Sequence, residues 1–237
     1  MNHCLICHDD VTFPFGWSAF LGLQKHAPVC EDCEHAFQKL TGELCKICGR
    51  EWGMVADENR YGDLCSDCFR WEGDPSTAGL LKQNRSVYHY NEQMKDILSR
   101  YKFRGDAALS QVFQEAFTKK FKEACQNEKP IVVPIPLSPE RLYERGFNQS
   151  LLLAELLPGK PEQLISRTIS EKQSKKARWE RIERDNTFFV PDYELVKGKS
   201  ILLIDDIYTT GTTVRMAAKV LKSAGANDIS SYTLVRS

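Results

Sequence analysis

Asp205 and Asp206 stand side by side and are followed within a few residues by Tyr208, Thr209, Thr210, Gly211, Thr212 and Thr213, a run of hydroxyl side chains around one glycine. Hydroxyls and unpaired backbone amides at the start of a helix attract an anion, because the first amides of a helix lack intrahelical acceptors and its dipole adds partial positive charge there. The simplest anion for such a socket is a phosphate. Two carboxylates beside it would repel that phosphate unless they bind something about one sugar away. The 2′ and 3′ hydroxyls of a ribose meet this need, as donors to the two acids while the loop amides hold a 5′ phosphate.

A second chemistry belongs to sulfur. Eight of the nine cysteines fall into four Cys-x-x-Cys knuckles, Cys4/Cys7, Cys30/Cys33, Cys45/Cys48 and Cys65/Cys68. The two-residue spacer lets both sulfurs of a knuckle face one ion at about 2.3 Å, so four knuckles predict two tetrahedral Cys4 zinc sites. The intervals, 22 residues from Cys7 to Cys30 and 16 from Cys48 to Cys65, fit two zinc ribbons in tandem, with an interleaved pairing left open. A disulfide framework is disfavoured by a start, MNHCLICHDD, that lacks a basic n-region and an apolar h-region, and a cytoplasmic setting is expected. With every position taken by sulfur, both zincs are structural and let a segment too small for its own core fold. Cys125 falls in register with Phe113, Phe117 and Phe121 on one helix face, which predicts a core thiol rather than a nucleophile. The histidines show no ligand spacing.

The elements that must position these groups follow from periodicity. Residues 86–90, 131–135, 201–204 and 229–235 read as strands, and 92–101, 106–126, 146–157 and 212–224 as helices. Strand and helix in alternation argue for an α/β fold with a parallel sheet, whose ligands bind beyond the carboxyl ends of the strands. The acids are expected where the strand 201–204 turns into a helix. No Gly-x-x-x-x-Gly-Lys-Ser/Thr occurs and no Gly-x-Gly-x-x-Gly follows a strand, so nucleotide-hydrolase and dinucleotide readings lose their main support.

Zero net charge conceals two bodies. Residues 1–75 hold 6 Lys and Arg against 13 Asp and Glu, and residues 76–237 hold 26 against 19, so the halves carry −7 and +7. The stretch 73–79, rich in Gly, Pro and Ser, suits a linker between a zinc-ribbon module at 1–75 and a larger domain at 80–237. Four thiolates on each ion deepen the acidity of the first part, which makes it a poor grip on a phosphate backbone and suits a docking or lid element. No stretch is long and apolar enough to span a membrane.

Four apolar residues, two acids and then Thr-Thr-Gly-Thr-Thr resemble the phosphoribosyl-pyrophosphate (PRPP) signature of type I phosphoribosyltransferases. Taken with the knuckles, YNEQMKDILSRYKFRGD (90–106), VVPIPLSPERLYERGFNQSLLLAELL (132–157) and a basic loop, the chain resembles the ComF family of bacterial competence proteins over nearly its whole length. The resemblance implies a type I phosphoribosyltransferase-like domain behind a double zinc ribbon. It implies a role in natural transformation, in which single-stranded DNA enters the cytoplasm, beside a helicase-like ATPase able to hold it at the inner membrane face.

Site residues follow from the same resemblance. The turn at Pro136, Leu137 and Ser138 corresponds to the loop that takes pyrophosphate, with Arg145 near in sequence and Arg141, Asn148 and Gln149 beside it. Ser138 followed by Pro139 also predicts a helix cap. The segment 167–186, with Lys175, Lys176 and Arg178 beside Trp179, corresponds to a flexible hood and carries the cations and ring that could track a single DNA strand. Lys102 and Arg104, set among aromatic residues, are further candidates for nucleic acid. A complete site would bind Mg2+ with PRPP and act through electrostatics and positioning. No acceptor base is legible, so two other readings stand: an active phosphoribosyltransferase of nucleotide metabolism, and a zinc-organised adaptor with a vestigial PRPP site.

Overall fold

The structure is a computed structural model that describes residues 3–11, 29–103, 106–125, 129–168 and 187–237. From the N-terminus, helix α1 (Glu31–His35) opens at the Cys30/Cys33 knuckle. Strands β1 (Arg60–Tyr61) and β2 (Leu64–Cys65) then form a small antiparallel hairpin, and α2 (Ser66–Gly73) starts directly after Cys65. Strand β3 (Asn84–His89) and α3 (Glu92–Phe103) come next, followed by a 3-10 segment, Ala107–Phe113, and α4 (Gln114–Ala124). Strand β4 (Ile131–Pro134) leads into α5 (Pro139–Arg145) and α6 (Gln149–Glu155). Strands β5 (Ser166–Arg167) and β6 (Phe188–Phe189) pair antiparallel, and β7 (Ile201–Tyr208), α7 (Thr212–Ser223) and β8 (Ile229–Arg236) complete the chain.

The main sheet has four parallel strands in the order β3-β8-β7-β4. Parallel strands are covered on both faces and read as continuous apolar runs, as Ile201–Ile204 does with every residue buried. One face packs against α3, α4 and α6 through Met94, Ile97, Leu98, Tyr101, Phe117, Leu153 and Ala154. The other packs against α7 through Val214, Ala217, Ala218 and Leu221, at the helical spacing expected.

Three expectations change at their edges. Strand β7 does not stop at Ile204 but runs through both acids to Tyr208, because β8 continues the ladder with Asp205 opposite Thr233 and Ile207 opposite Val235. The helix expected over 106–126 begins as a 3-10 segment, and Cys125 is its C-terminal cap, half-buried against the core beside Phe121. The helix expected at 146–157 is shorter and is preceded by α5. Ser138 caps α5 by accepting from the Arg141 amide at 3.4 Å, Pro139 takes the first turn, and Gly146 ends it at φ 77.

The cysteine-bearing region does not stand apart from this sheet. Cys4 and Cys33 are buried in the core of the first face, and Cys45, Cys48, Cys65 and Cys68 in the core of the second. Residues 38–40 pair antiparallel with the outer edge of β3, where Leu40 donates to Val87 and His89 donates to Gln38 through backbone at 2.9 Å. The Asn84 side-chain amide donates to the carbonyl of Cys48 at 3.1 Å, and its oxygen accepts from Ser231 at 2.9 Å, so a knuckle and the sheet share one buried polar residue. Gly49 fits this contact because a Cβ there would stand 2.9 Å from the Asn84 carbonyl oxygen and its φ is +69°.

Candidate functional site

Strand β4 ends with Pro134 opposite Ile204, and β7 runs on past that point to Tyr208. Beyond that pairing sit the acid pair, the 209–213 loop and the start of α5. Asp206 is 8% exposed and Asp205 is half-buried. Both take partners from helices of the first face. Ser150 of α6 donates to Asp205 Oδ1 at 3.0 Å, an oxygen that also accepts from the Asp206 amide at 2.9 Å. Lys102 of α3 places Nζ 2.6 Å from Asp206 Oδ2. Among the described residues, Asp205 Oδ2 and Asp206 Oδ1 accept no hydrogen bond from the protein, which leaves one oxygen on each acid for a ligand.

Electrostatics at the pair are set by burial and by the cations around it. Burial, with the Asp206 carboxylate adding to it, pushes the Asp205 carboxyl up to about 7, against the lowering pull of its hydrogen bonds and of Lys102. Arg145 at the end of α5 lies within electrostatic reach of both acids and donates to Gln149 Oε1 at 2.9 Å. Arg167, at the end of β5, is within reach of Asp205 and of Arg141. Two guanidinium groups, Arg145 and Arg167, therefore lend positive charge to the neighbourhood of the acid pair, a charge that suits anionic oxygens.

The loop after β7 is built over a buried cation. Gly211 caps α7 in the left-handed region at φ 81. A Cβ on it would fall inside contact distance of the Tyr208 hydroxyl and Arg215 Nη1, so glycine is the residue that fits. Tyr208 is buried beneath the loop, where its hydroxyl accepts from Arg215. Arg215 is 1% exposed, lies over the Trp71 ring at 4.9 Å and approaches Glu72 at 4.0 Å, while its Nε and Nη2 have no hydrogen-bond partner. Thr210 and Thr212 share a hydroxyl bond at 2.8 Å, and the Thr212 amide turns to Thr210 Oγ1 at 3.4 Å. The amides of Thr209, Thr210 and Gly211 donate to no backbone acceptor among the described residues. Free amides, α7's N-terminus and a buried guanidinium make this loop electropositive.

The structure resolves the knuckle pairing in tandem. The sulfurs of Cys4, Cys7, Cys30 and Cys33 lie within 4.8 Å of one another, and so do those of Cys45, Cys48, Cys65 and Cys68. Neither tetrad contains a disulfide. Cys7 and Cys30 sulfurs are 3.6 Å apart and Cys48 and Cys65 sulfurs 3.5 Å apart, close to the ~3.8 Å edge of a tetrahedron with 2.3 Å metal–sulfur bonds. Each tetrad could hold one zinc ion, with no position left over for catalysis.

Other residues marked in the sequence fall elsewhere. Ser138 lies at the first turn of α5 and Thr213 within the first turn of α7. Arg104, Lys175, Lys176 and Arg178 lie outside the described residues, as does all of the expected hood at 167–186 except Arg167 and Thr168; Arg167 belongs to the β5–β6 pair, and the Thr168 amide donates to Thr187 at 2.7 Å. Sequence reasoning gave no role to Trp71, Ser150, Arg215 or Arg236. The spacing of Arg215 on the α7 face beside Val214 and Ala218 carries a hint, but the partners of Trp71 and Arg236 are remote in the chain.

Residues 155–237 match the phosphoribosyl transferase domain model. The chain is 41% identical to Competence protein ComFC of Bacillus subtilis (strain 168), over 99% of this chain and 95% of that protein. It is 35% identical to Competence protein ComFC of Streptococcus pneumoniae (strain ATCC BAA-255 / R6), over 98% of this chain and 99% of that protein. It is also 28% identical to DNA utilization protein YhgH of Salmonella typhi, over 81% of this chain and 90% of that protein. Among the described residues, no helix is long and apolar enough to cross a membrane. A parallel sheet bearing an acid pair and a threonine-glycine loop, two cysteine tetrads in the N-terminal region and near-full-length similarity together show that the chain belongs to the ComFC family of competence proteins.

Proposed function

We propose that this protein binds Mg-PRPP, or a ligand with the same 5′-phosphoribosyl group, at the carboxyl edge of β4 and β7 and handles single-stranded DNA during its uptake. The observation that carries the ligand is the spare oxygen on each of Asp205 and Asp206 beside unpaired amides of the 209–211 stretch. The acids accept from the ribose hydroxyls, the loop holds the 5′ phosphate, and Arg145 with the turn at Ser138 faces the pyrophosphate. Asp205 and Asp206, through their open oxygens, would hold magnesium brought in with the ligand, and the ion would supply positive charge against the pyrophosphate. The two tetrads hold structural zinc. The DNA role rests on the names of the relatives and on the basic segment 167–186, and a helicase-like ATPase is the partner that the family resemblance supplies.

Titration calorimetry with Mg-PRPP tests the ligand: saturable heat is expected, and the affinity should fall in Asp205→Asn combined with Asp206→Asn. A second reading has one observation behind it. Lys102 already occupies Asp206 Oδ2, as it would in an adaptor whose pocket has lost its ligand. That reading expects no heat from the unsubstituted protein. For DNA, binding to an oligonucleotide should fall steeply with salt, as neutralised phosphates release counterions.

A further inference from the structure

Three successive carbonyl groups leading into the loop are held from one side by side chains that the ligand reading does not use. Arg236, at the end of β8, donates through Nη1 to the carbonyl oxygens of Tyr208 at 3.1 Å and Thr209 at 2.9 Å. Its Nη2 reaches Cys48 Sγ of the second tetrad at 3.3 Å. Trp71, on α2, which starts directly after Cys65, donates Nε1–H to the carbonyl of Thr210 at 2.9 Å. All three bonds come from the cysteine-bearing side or are braced against it.

In a planar trans peptide the carbonyl and the following N–H point in opposite directions. Carbonyls of Tyr208, Thr209 and Thr210 pulled towards the second tetrad therefore turn the amides of Thr209, Thr210 and Gly211 the other way. Those are the amides without a backbone acceptor. A nest of successive amides is a good anion site only when its peptide planes are fixed beforehand, because a loop that must order itself on binding gives up affinity to do so. The bond between Trp71 and Thr210 spans 139 positions of sequence, so its geometry is set by how α2 packs and not by the loop itself.

We propose that Trp71 and Arg236 are positioning residues of the phosphate loop, fixing its peptide planes from the second cysteine tetrad so that the amides of 209–211 face the ligand. The proposal rests on the phosphoribosyl reading for the identity of the ligand, but the rigidity it assigns to the loop exists without any ligand. It also gives the second tetrad a role that the first, packed on the other face of the sheet, does not share.

The test uses the full-length, zinc-loaded protein in two arms. In the first, without ligand, backbone amide order parameters of residues 209–211 are compared between the unsubstituted protein and the variants Trp71→Phe and Arg236→Gln. Trp71→Phe keeps an aromatic ring against Arg215 and removes the N–H that reaches Thr210. The order parameters of the loop should fall clearly in both variants while those of β7 and β8 stay as before. Unchanged order in the loop overturns the proposal. In the second arm, Mg-PRPP is titrated into the unsubstituted protein and both variants, with an expected loss of about fivefold in affinity for each. If the unsubstituted protein binds no PRPP while the loop still loosens in the variants, the positioning role stands and the ligand reading fails. Should the variants not fold, the Trp71 indole N–H of the unsubstituted protein decides the matter: protected from exchange if it is bonded to Thr210, and as fast as free indole if the proposal is wrong.

Discussion

Lys102 Nζ lies 2.6 Å from Asp206 Oδ2, and both side chains are largely withdrawn from water. The pair turns what would be two crowded carboxylates into a site with a single net negative charge when both acids are ionised. Removing one partner of a buried pair leaves the other uncompensated. Lys102→Met should cost roughly 3 kcal/mol of stability, and less when Asp206→Asn is added, since the variant then has no bare carboxylate to hold. Chemical denaturation of the two single variants and the double variant measures that coupling. Additive losses would mean that the contact carries no energy.

The paired acids make a second expectation quantitative. Hydrogen bonds to charged groups contribute about 1.5 to 3 kcal/mol each, so Asp205→Asn with Asp206→Asn should weaken Mg-PRPP by a few kcal/mol in calorimetry. An unchanged dissociation constant would remove the ribose from this site.

Titration of Asp205 has a definite sign. Its carboxyl is held up at about 7 in the fold, chiefly by burial and by Asp206, whereas an aspartate in an unfolded chain titrates near 3.9. Between those values the folded protein keeps a proton that the unfolded chain has lost. The stability gained at this group is therefore full below about 4 and is lost as pH rises towards 7. Among the described residues, Asp206, Lys102, Arg145 and Arg167 are charged groups that act on it. Thermal melts of Asp205→Asn and the unsubstituted protein should diverge across that window, the variant gaining at pH 8. Ligand that binds the ionised pair should in turn weaken by up to about tenfold for each pH unit below 7.

Gly211→Ala combines a left-handed φ with a filled space between the Tyr208 hydroxyl and Arg215. Its cost should be about 2 to 4 kcal/mol, and the loop should lose PRPP binding with it. Gly198→Ala offers a control: φ is also positive there, at 69, but nothing lies within 4 Å of the added carbon, so only the backbone strain of about 1 kcal/mol is expected.

Metal analysis of the purified protein should give two zinc ions per chain, one for each tetrad. Displacing them with a thiol-directed mercurial should release both and abolish cooperative melting, because the tetrads' cysteines belong to the two cores that cover the sheet. A protein that melts unchanged without metal would deny the tetrads their structural part.

What the sequence made legible was local or periodic. The apolar run before Asp205, the glycine among threonines and the two-residue spacing of each knuckle are readable because their partners lie within a turn or a knuckle. The cap at Ser138 and Pro139 is of the same kind. The extension of β7 through its acids was not readable, since two adjacent carboxylates look like a strand end until Thr233 and Val235 are found opposite. Lys102 reads in sequence as one cation among aromatics, and only the packing of α3 sets it against Asp206. Charge asymmetry suggested two bodies, yet the tetrads lie on opposite faces of one sheet, a relation that depends on contacts across many tens of residues.

The pairing of residues 38–40 along β3 has a practical outcome. Expressed by itself, the 80–237 portion would present an uncapped ribbon of donors and acceptors along Val87 and His89, an invitation to stack with its own copies. Shortened versions that begin after the knuckles should therefore emerge as insoluble aggregate, whatever the quality of the pocket they carry.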